Sequence, residues 1–575
     1  MLKEISSANI KLHSGFWLDR LTQMAKVTAP LCLDRCEETG RLSNFRRAAG
    51  WEKGPFQGLY YNDSDVYKVL EGIAYILIQR PDPVLEARGQ AVIDSIIAAA
   101  EPDGYIFTSY TLGDTPERWQ DMRRHEAYCL GHMVEGAVAW SRATGRNTWL
   151  EMAERAVRQM METLGPDKAP WVTGHEELEL ALVKLSRYTG KRCYLDYALW
   201  LLEQRGRGYF SYPGKEDTLF RPSYHQDDIP VRELSRVTGH AVRAMYLYCG
   251  MADVAGETGD TAMFSALNRL WNHVVPANLY ITGGIGQEAA HEGFTEDWSL
   301  PNLTAYCETC AAIGMALWNQ RMYQATGHAK YADLVERELF NGALAGISRK
   351  GDRFFYVNPL SSVGNHHRSE WFGTSCCPTN LIRFLPSVSG YTAVLREEAL
   401  EIAQYTSCAI QAGGYSAEVT ATYPYEGKID IRIVDCPANA RLRLRIPGWC
   451  SSWVCSRTDS VCAENFLSLP VSRGESITLN FSMPPVIRQA DPRIRETAGR
   501  VAVTRGPLVY CAEETDNPGF IREYFHCECD LPKDAPVLRK DADGITRILF
   551  GKRVLSPYYD WDNRQPGAMA VWLKS

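Results

Sequence analysis

The stretch Ala143-Thr-Gly-Arg-Asn-Thr-Trp-Leu150 indicates how the first two-thirds of the chain is built. Its Thr-Gly pair is typical of the end of a helix, because glycine adopts the left-handed conformation that closes a helix C-terminus. A new helix is predicted to begin near Glu151. Three further stretches repeat the unit: Tyr188-Thr-Gly-Lys-Arg-Cys-Tyr-Leu195, Glu257-Thr-Gly-Asp-Thr-Ala-Met-Phe264 and Ala325-Thr-Gly-His-Ala-Lys-Tyr-Ala332.

The repeated unit predicts a series of helix–turn–helix hairpins. The glycines of successive units are 45, 69 and 68 residues apart, which is too irregular for a simple solenoid. Between the units lie apolar segments rich in small residues, at 127–140, 177–185, 240–248 and 310–318. About twelve helices fit into residues 10–390. A closed ring of hairpins, an (α/α)6 barrel with apolar inner helices, accounts for this number better than a helix bundle.

After residue 392 the apolar pattern changes from helical to alternating. The run Lys428-Ile-Asp-Ile-Arg-Ile-Val434 is a clear example, and similar runs follow between turns rich in Pro and Gly. Period-two alternation predicts half-buried strands. We therefore expect a barrel over residues 1–392, a β-sandwich over 393–495 and a smaller second sandwich over 496–575. The boundary between the sandwiches is soft, and an arrangement in which the first eight residues join a sandwich is left open.

Composition narrows the class of protein. The 575 residues carry a net charge of −7 and no Lys/Arg-rich run, so nucleic acid is not an expected partner. No apolar segment of about 18 residues is present to span a membrane. The N-terminus lacks the apolar core of a signal peptide, so we expect a cytoplasmic location, where the 17 cysteines stay reduced. Metal binding or catalysis is then a better expectation for clustered cysteines than disulfides.

Two cysteine clusters are the main chemical signal. Cys307-Glu308-Thr309-Cys310 is followed, 66 residues later, by Cys376-Cys377-Pro378. Thiols at such spacings can close a tetrahedral zinc site. Cys307 and Cys310 are three residues apart and would share a helix face, whereas Glu308 and Cys310 would point about 200° apart on a regular helix. Spacing alone slightly favours Cys307 as a ligand, and Pro378 favours a loop around the cysteine pair.

Histidines and carboxylates supply further candidates. Histidine stands at or near the predicted start of several inner helices, where it would lie at one rim of the barrel: His125, His132, His175 and His240. Neutral imidazoles there could donate hydrogen bonds to hydroxyl groups. A glycine-rich loop carries three possible general acids: Glu288, Glu292 and Glu296. Each of these residues, taken singly, is more often structural or solvated than functional.

Several motifs together resemble glycoside hydrolase family 127, the β-L-arabinofuranosidase family. The resemblance covers nearly the whole chain, and the combination is specific. The motifs are Gly15-Phe-Trp17, Asp63-Ser-Asp-Val-Tyr-Lys68, Gly174-His-Glu-Glu-Leu-Glu-Leu-Ala-Leu182, Tyr306-Cys-Glu-Thr-Cys310, Phe355-Tyr-Val-Asn-Pro359 and Ser375-Cys-Cys-Pro378. The family has an (α/α)6 barrel followed by β-sandwiches, which agrees with the fold expected from the patterns.

The resemblance implies a retaining glycosidase that releases L-arabinofuranose from the non-reducing ends of β-L-arabinofuranosides. It implies Cys376 as the nucleophile and Glu292 as the acid/base residue. The implied Zn²⁺ ligands are Glu308, Cys310, Cys376 and Cys377, which overrules the spacing preference for Cys307. Tyr356 matches an active-site tyrosine of the family. His175 and His240 match substrate-binding histidines, and for a third we prefer His125 to His132 and leave the choice open.

Two other classes of function are weighed against this one. In the first, a helical-barrel glycosidase or lyase uses only carboxylates, with Glu292 or Glu296 paired with Asp65 and a purely structural zinc; replacing Cys376 would then have a mild effect. In the second, the chain binds carbohydrate without catalysis, and neither zinc nor glycosidase activity would be found. The expected partner is a short oligosaccharide or glycoside, and a homodimer is possible. The exact sugar is not fixed by the sequence.

Overall fold

The computed structural model describes residues 2–113, 117–211, 221–523 and 526–575, without the side chains of 521–527. The helices in these ranges precede most of the strands. They are α1 (Phe16–Gln23), α2 (Ala29–Glu38), α3 (Arg41–Ala48), α4 (Asp63–Gln79), α5 (Pro83–Ala99), α6 (Thr108–Thr111), α7 (Glu126–Thr144), α8 (Thr148–Thr163), α9 (Leu178–Thr189), α10 (Arg192–Gln204), α11 (Ala241–Thr258), α12 (Thr261–Ala277), α13 (Thr309–Thr326), α14 (Ala329–Arg337) and α15 (Cys376–Phe384).

Six helices form a closed inner ring. Helix α4 packs against α7, α7 packs against α9, and the series continues through α11 and α13 to α15. Helix α15 packs back against α4, which closes the ring. Outside this ring α2, α5, α8, α10, α12 and α14 each pack against an inner helix. Inner helices are buried nearly all round, as in α11, whereas outer helices such as α8 bury one face. The predicted (α/α)6 barrel is confirmed.

The repeated Thr-Gly unit marks the turn from an inner to an outer helix. In each of the four units the glycine follows the last helical residue and has a φ near +73°, the left-handed conformation of a helix cap: Gly145, Gly190, Gly259 and Gly327. Each glycine N–H donates to a carbonyl of the last helical turn. An outer helix begins within three residues. The inner helices therefore start at one common end of the barrel, and their first residues meet there.

The strands in the described ranges lie mostly after the barrel. They are β1 (Lys3–Glu4), β2 (Ile10–Leu12), β3 (Ser361–Ser362), β4 (Ala393–Arg396), β5 (Ala399–Ile402), β6 (Cys408–Ala412), β7 (Tyr415–Ala421), β8 (Lys428–Asp435), β9 (Arg441–Arg445), β10 (Trp453–Cys455), β11 (Val461–Ala463), β12 (Phe466–Pro470), β13 (Ser476–Phe481), β14 (Val486–Arg488), β15 (Arg500–Arg505), β16 (Leu508–Glu513), β17 (Ile521–Glu523), β18 (His526–Glu528), β19 (Val537–Lys540), β20 (Thr546–Phe550), β21 (Arg553–Pro557), β22 (Met569–Ala570) and β23 (Leu573–Lys574).

Two six-stranded sheets form the first β region, in the orders β1-β4-β5-β9-β12-β11 and β10-β13-β8-β7-β6-β2. Alternate side chains of β8 are buried, as the period-two pattern predicts. The N-terminal strands β1 and β2 each complete an edge of one sheet, by pairing with β4 and β6. The β region therefore holds the segment that leads into α1, the first helix.

A third, nine-stranded sheet follows, with the path β14-β15-β16-β21-β20-β19. Strand β3, from the long segment between α14 and α15, pairs with β22 and links this sheet to the barrel. Strand β14 lies before residue 495 and pairs with β15 of the third sheet. The residue boundaries given above for the domains remain predictions. No helix of the described ranges is long and apolar enough to cross a membrane.

Candidate active site

The chain enters α13 through a sharp change of backbone direction. Cys307 has a φ of +40°, and Glu308 is an extended N-cap residue with a ψ of 136°. The N–H of Thr309 donates to the carbonyl of Tyr356 (3.0 Å), which fixes this entry. Because Glu308 is not yet helical, its side chain and that of Cys310, in the first turn, converge on one point.

The cysteine pair occupies the first turn of α15. Ser375 is the N-cap, Cys376 and Cys377 are the first helical residues, and Pro378 is the third. The expectation of a loop at this point was wrong. Proline fits here because the first N–H groups of a helix have no carbonyl partner within it, so none is lost.

Glu308, Cys310, Cys376 and Cys377 form one buried cluster whose ligand atoms all lie within 4.8 Å of one another. The Sγ of Cys377 is 3.5 Å from that of Cys310 and 3.9 Å from that of Cys376. Oε1 of Glu308 is 3.5 Å from Sγ of Cys376 and 3.7 Å from that of Cys377. Ligands of tetrahedral zinc lie about 3.8 Å apart for two sulfurs and about 3.5 Å apart for sulfur and oxygen. The donor set and its spacing therefore fit such an ion.

The electrostatics of the cluster also favour a cation. Burial raises the pKa of Cys310. Hydrogen bonds from the thiols of Cys376 and Cys377 outweigh this effect and lower the pKa of Cys310 to about 6. The pKa of Cys376 is raised, first by its hydrogen bond to Cys310, and burial raises those of Cys377 and Glu308. Oε2 of Glu308 is buried and has no hydrogen-bond partner among the described residues. A divalent cation would remove this mutual repulsion.

Cys376 is the member of the cluster with access to solvent. Its side chain is partly exposed, whereas Glu308, Cys310 and Cys377 are at most 2% exposed. The hydroxyl of Tyr356 lies 3.3 Å from Sγ of Cys376. Cys376 is therefore the thiol that a molecule entering the barrel would meet.

A cavity of about 620 Å³ lies over Cys376, at the end of the barrel where the inner helices begin. His125, His175 and His240 lie side by side along its wall. The ring centres of His125 and His175 are 5.5 Å apart, and those of His175 and His240 are 5.8 Å apart. Each stands at or just before the start of a different inner helix. Burial lowers the pKa of all three, so these imidazoles are neutral hydrogen-bonding groups.

The tautomer of His240 follows from its contacts. Its Nδ1 accepts the N–H groups of Val242 (3.1 Å) and Arg243 (3.4 Å), so the ring proton lies on Nε2. Nε2 is 3.3 Å from Oε2 of Glu292 and donates to it. The hydroxyl of Tyr306 donates to Oε1 of Glu292 (2.8 Å). Both carboxylate oxygens of Glu292 are thus held at the cavity wall.

Glycines allow the Glu292 loop to approach His240 closely. Gly293 pairs with His240 as an isolated antiparallel bridge, and the carbonyl of Glu292 accepts the N–H of Ala241 (3.0 Å). A Cβ atom at Gly293 would lie 1.9 Å from the carbonyl oxygen of Gly239. Any side chain at this position would push the loop away.

The same contacts set the charge of Glu292. Burial alone would raise its pKa, but the hydrogen bonds from His240 and Tyr306 and the charge of Arg243 outweigh it and lower the pKa to about 2. The carboxylate of Glu308 lies within 4.8 Å of that of Glu292. Glu292 and Cys376 therefore face one cavity, each beside Glu308.

Family models match most of the chain. The model for the β-L-arabinofuranosidase, GH127 catalytic domain, matches residues 9–390, and the model for the glycoside hydrolase family 127 C-terminal domain matches residues 485–574. The chain belongs to glycoside hydrolase family 127. The family resemblance inferred from the motifs is confirmed, and the protein is a glycosidase.

Relatives of known structure or function extend over the same length. The non-reducing end β-L-arabinofuranosidase of Bifidobacterium longum subsp. longum is 34% identical, over 98% of this chain and 100% of its own. The structure of the GH127 β-L-arabinofuranosidase from Geobacillus stearothermophilus T6 is 33% identical, with a TM-score of 0.91 over 98% of this chain and 100% of that chain. A second GH127 β-arabinofuranosidase structure is 36% identical, with a TM-score of 0.88 over 100% and 98% of the two chains.

The family 127 fold places Cys307 away from the cluster. Cys307 is buried in a separate apolar group with Tyr280 and Phe355, and it is absent from the possible metal ligands. The spacing argument that favoured it was wrong because Cys307 precedes the helix, where the three-residue rule does not apply. The turn before α13 brings Glu308 to the cluster instead.

Other predicted site residues differ in their access to the cavity. His132 lies one layer deeper in the barrel than His125, is fully buried and does not line the cavity. Its Nδ1 is 3.1 Å from Oε1 of Glu177. Glu288 and Glu296 do not line the cavity either. Of the two histidines left open by the sequence, the geometry places His125 at the cavity wall.

A buried ion pair behind the start of α15 was not anticipated. Nε of Arg41 donates to Oδ2 of Asp65 (2.9 Å), and Nη2 donates to the carbonyl of Gly373 (2.8 Å). Oδ1 of Asp65 accepts from the hydroxyl of Thr379 (3.1 Å) in α15. Both charged side chains are 3% exposed. The pair therefore ties α3 and α4 to the segment that carries Cys376.

Tyr306 and Arg243 were also missed as functional residues. Tyr306 precedes the Cys-x2-Cys motif directly, and Arg243 lies three residues after His240, one turn along the same helix. The sequence signal available for Tyr306 and Arg243 was that each lies close to a recognised motif. A tyrosine or an arginine at such a position does not indicate a functional role by itself.

Proposed function

We propose that this glycosidase releases L-arabinofuranose from the non-reducing ends of β-L-arabinofuranosides with retention of configuration. The named activities of the full-length relatives support the sugar class. The observation that supports the mechanism is the position of Cys376: it is the exposed member of a buried thiol cluster and faces the cavity that holds Glu292. We propose Cys376 as the nucleophile and Glu292 as the acid/base residue.

We propose Zn²⁺ as the bound metal, with Glu308, Cys310, Cys376 and Cys377 as its ligands. The ion would keep the cysteines as thiolates at neutral pH, where a free thiol with a pKa near 8.5 is only a few per cent ionised. Three buried ligands position Cys376, and its own partial exposure leaves one face of the sulfur open to the sugar.

The first half of the reaction forms a thioglycoside. Sγ of Cys376 attacks the anomeric carbon while the bond from that carbon to the leaving oxygen breaks. Glu292 gives its proton to the leaving oxygen. His125, His175 and His240 bind sugar hydroxyls as neutral donors and acceptors, and the Nε2–H of His240 is already oriented toward the cavity.

The second half restores the enzyme. Glu292 takes a proton from water, the water oxygen attacks the anomeric carbon, and the carbon–sulfur bond breaks to return the thiolate. Two inversions give net retention. The low pKa of Glu292 keeps it ionised, and so able to accept a proton, at the start of this step. For the acid step it must bind a proton, and a substrate group that takes over the hydrogen bond from His240 removes one of the contacts that lower this pKa.

The carboxylate-only alternative has less support. Asp65, its second carboxylate, is occupied by Arg41 and Thr379, and Glu296 lies outside the cavity wall. Cytoplasmic location and a homodimer remain predictions.

The proposed activity is tested by hydrolysis of matched aryl glycosides. We expect 4-nitrophenyl β-L-arabinofuranoside to be cleaved with a kcat/KM at least about 10³-fold above that for the α-L-arabinofuranoside and the β-D-galactofuranoside. Zinc measured by elemental analysis should approach one equivalent per chain. Preferential cleavage of another glycoside would refute the proposed sugar class, and full activity in metal-free protein would refute the proposed role of the metal.

A further inference from the structure

A second large cavity, separate from the one that Cys376 borders, lies where the outer helix α14, the first β region and the third sheet meet. Its volume is about 520 Å³, within the range of small-molecule sites, which often form at domain interfaces. None of its lining residues lines the catalytic cavity. Each of the three regions contributes to its wall, so the cavity exists only in the folded, full-length chain.

Two arginines in this cavity lack a carboxylate partner. Arg337, the last residue of α14, and Arg488, in β14, both line it. Across the described residues, neither has a carboxylate oxygen within 4 Å; Arg337 is exposed to the cavity and Arg488 is half-buried. Nε of Arg488 donates to the hydroxyl of Thr504 (3.1 Å), which holds its guanidinium group in place. Desolvation lowers the pKa of Arg337, the charges of Glu338, Asp333 and Glu336 raise it, and the charge of Arg488 lowers it, so the two guanidinium groups lie close enough to repel each other.

The two carboxylates in the same wall share one arginine. Asp333 and Glu336 both pair with Arg445, and the Nη2–Oε1 distance to Glu336 is 2.6 Å. Glu336 also accepts the indole N–H of Trp449 (2.8 Å). Arg337, Arg445 and Arg488 outnumber Asp333 and Glu336 by one charge. Glu338, whose charge also acts on Arg337, is a buried carboxyl whose pKa is raised by burial. The unmet binding capacity is that of Arg337 and Arg488, whose planar guanidinium groups suit a carboxylate or phosphate.

The remainder of the wall is largely apolar and aromatic. Trp449 and Trp572 line the cavity together with aliphatic side chains such as Leu300 and Val509. Such a surface suits the body of an organic molecule better than an inorganic ion, which would leave it unfilled.

We propose that this cavity is a second binding site, which takes an organic anion of about monosaccharide size through its carboxylate or phosphate group. Arg337 and Arg488 bind the anionic group, and the tryptophan-lined wall holds the organic body. The inference does not depend on the sugar cleaved at Cys376.

The test is isothermal titration calorimetry on the full-length protein. The probes are D-galacturonate, with D-galactose as its neutral match, D-glucose 6-phosphate, and inorganic phosphate. We expect saturable 1:1 binding of at least one organic anion, no binding of galactose and at least tenfold weaker binding of phosphate. The two organic probes distinguish a carboxylate ligand from a phosphate ligand.

Variants assign the binding to this cavity. Arg337→Ala/Arg488→Ala should weaken the organic anion at least tenfold, whereas Arg539→Ala, which removes an exposed arginine elsewhere, should not. Arg337→Gln and Arg488→Gln, closer in size, should each give a partial loss, and thermal melting would show that all variants fold. Glycosidase activity should stay unchanged in each. The proposal is overturned if neither organic anion binds, if phosphate binds as tightly as the organic anions, or if the double variant binds as the wild type does.

Discussion

Two buried clusters of ionisable side chains lie one below the other in the described part of the barrel. The upper cluster contains Glu308 and three cysteines and borders the catalytic cavity. The lower cluster contains His132, Glu135 and Glu177. Both have the ligand types and proximity to hold a metal, so residue type alone does not separate them.

The cations around the lower cluster make the difference. Glu135 pairs with Lys184 (2.9 Å) and with Arg383 (2.5 Å), so its negative charge is already balanced by the protein. In the parts of the chain that the structure describes, no salt bridge reaches Glu308. A buried group of acids and thiols without a cation is costly unless it stays protonated or binds one. The comparison indicates that the upper cluster is able to hold a metal, whereas the charges of the lower one are balanced by the protein's own cations.

The largest expected effect comes from the open thiol of the upper cluster. Cys376→Ser should lower kcat on an aryl β-L-arabinofuranoside at least about 10³-fold, because the proposed nucleophile is lost. The far-ultraviolet circular dichroism spectrum should stay unchanged. Cys193→Ser, at an exposed cysteine on outer helix α10, is the matched control and should be fully active. Near-wild-type turnover in Cys376→Ser would remove the upper cluster from catalysis.

The next effect comes from the carboxylate on the other side of the cavity. Glu292→Gln should lower kcat by about 10²–10⁴-fold, the range of general acid–base catalysis. In the first half-reaction, the loss of rate should be smaller for substrates with good leaving groups. In the second half-reaction, added azide should restore turnover by replacing water. Glu296→Gln serves as the control. Equal losses in the two variants would contradict the assignment of Glu292.

A smaller effect is expected from the ion pair that supports the upper cluster. Arg41→Lys keeps the charge but cannot reach Asp65 and the carbonyl of Gly373 together, so Cys376 should be misplaced. We expect about a tenfold fall in kcat with little change in KM, since misplacement of a reacting group affects the chemical step. Zinc content should remain at wild-type level. Arg35→Lys, at a more exposed ion pair, should leave kcat unchanged.

The lower cluster should affect stability and leave activity nearly unchanged. Burial raises the pKa of Glu135, and Lys184 and Arg383 outweigh it, so the pKa lies below the usual 4.5. A lowered carboxyl pKa contributes stability above the unfolded-state value, and this contribution is lost as the pH falls below it. Glu135→Gln should lower the free energy of unfolding by about 3–5 kcal/mol at pH 7.

The control for this prediction is the pH dependence of the stability loss in Glu135→Gln. In urea unfolding curves the difference from wild type should shrink as the pH falls below 4.5, and zinc content at pH 7 should be unchanged. Loss of zinc in Glu135→Gln would show that the two clusters are not separate in function.

Much of the fold could be predicted because it depends on local signals. Each Thr-Gly unit ends a helix by a backbone requirement of glycine, and the alternation in β8 reports its two faces directly. The site was harder because it depends on a few backbone angles. The φ of +40° at Cys307 and the extended Glu308 decide which side chain reaches the cluster, and residue spacing does not report them.

Access to the cavity could not be predicted either. His125 and His132 lie seven residues apart on the same helix face, two turns, and only the position of the cavity along that helix distinguishes them. The Arg41–Asp65 pair joins residues that neither local pattern nor motif connects to Cys376. Such contacts depend on how the ring of helices closes.

The central claim is that Cys376 forms a covalent bond with the sugar. A 2-fluoro-β-L-arabinofuranoside with an activated leaving group should trap the intermediate, because fluorine slows the second half of the reaction more than an activated first half. Mass spectrometry of the digested protein should locate one equivalent of label on Cys376, and Cys376→Ser should take up none. A label on Glu292, Glu308 or another carboxylate, with Cys376 unmodified in the inactivated enzyme, would contradict the account.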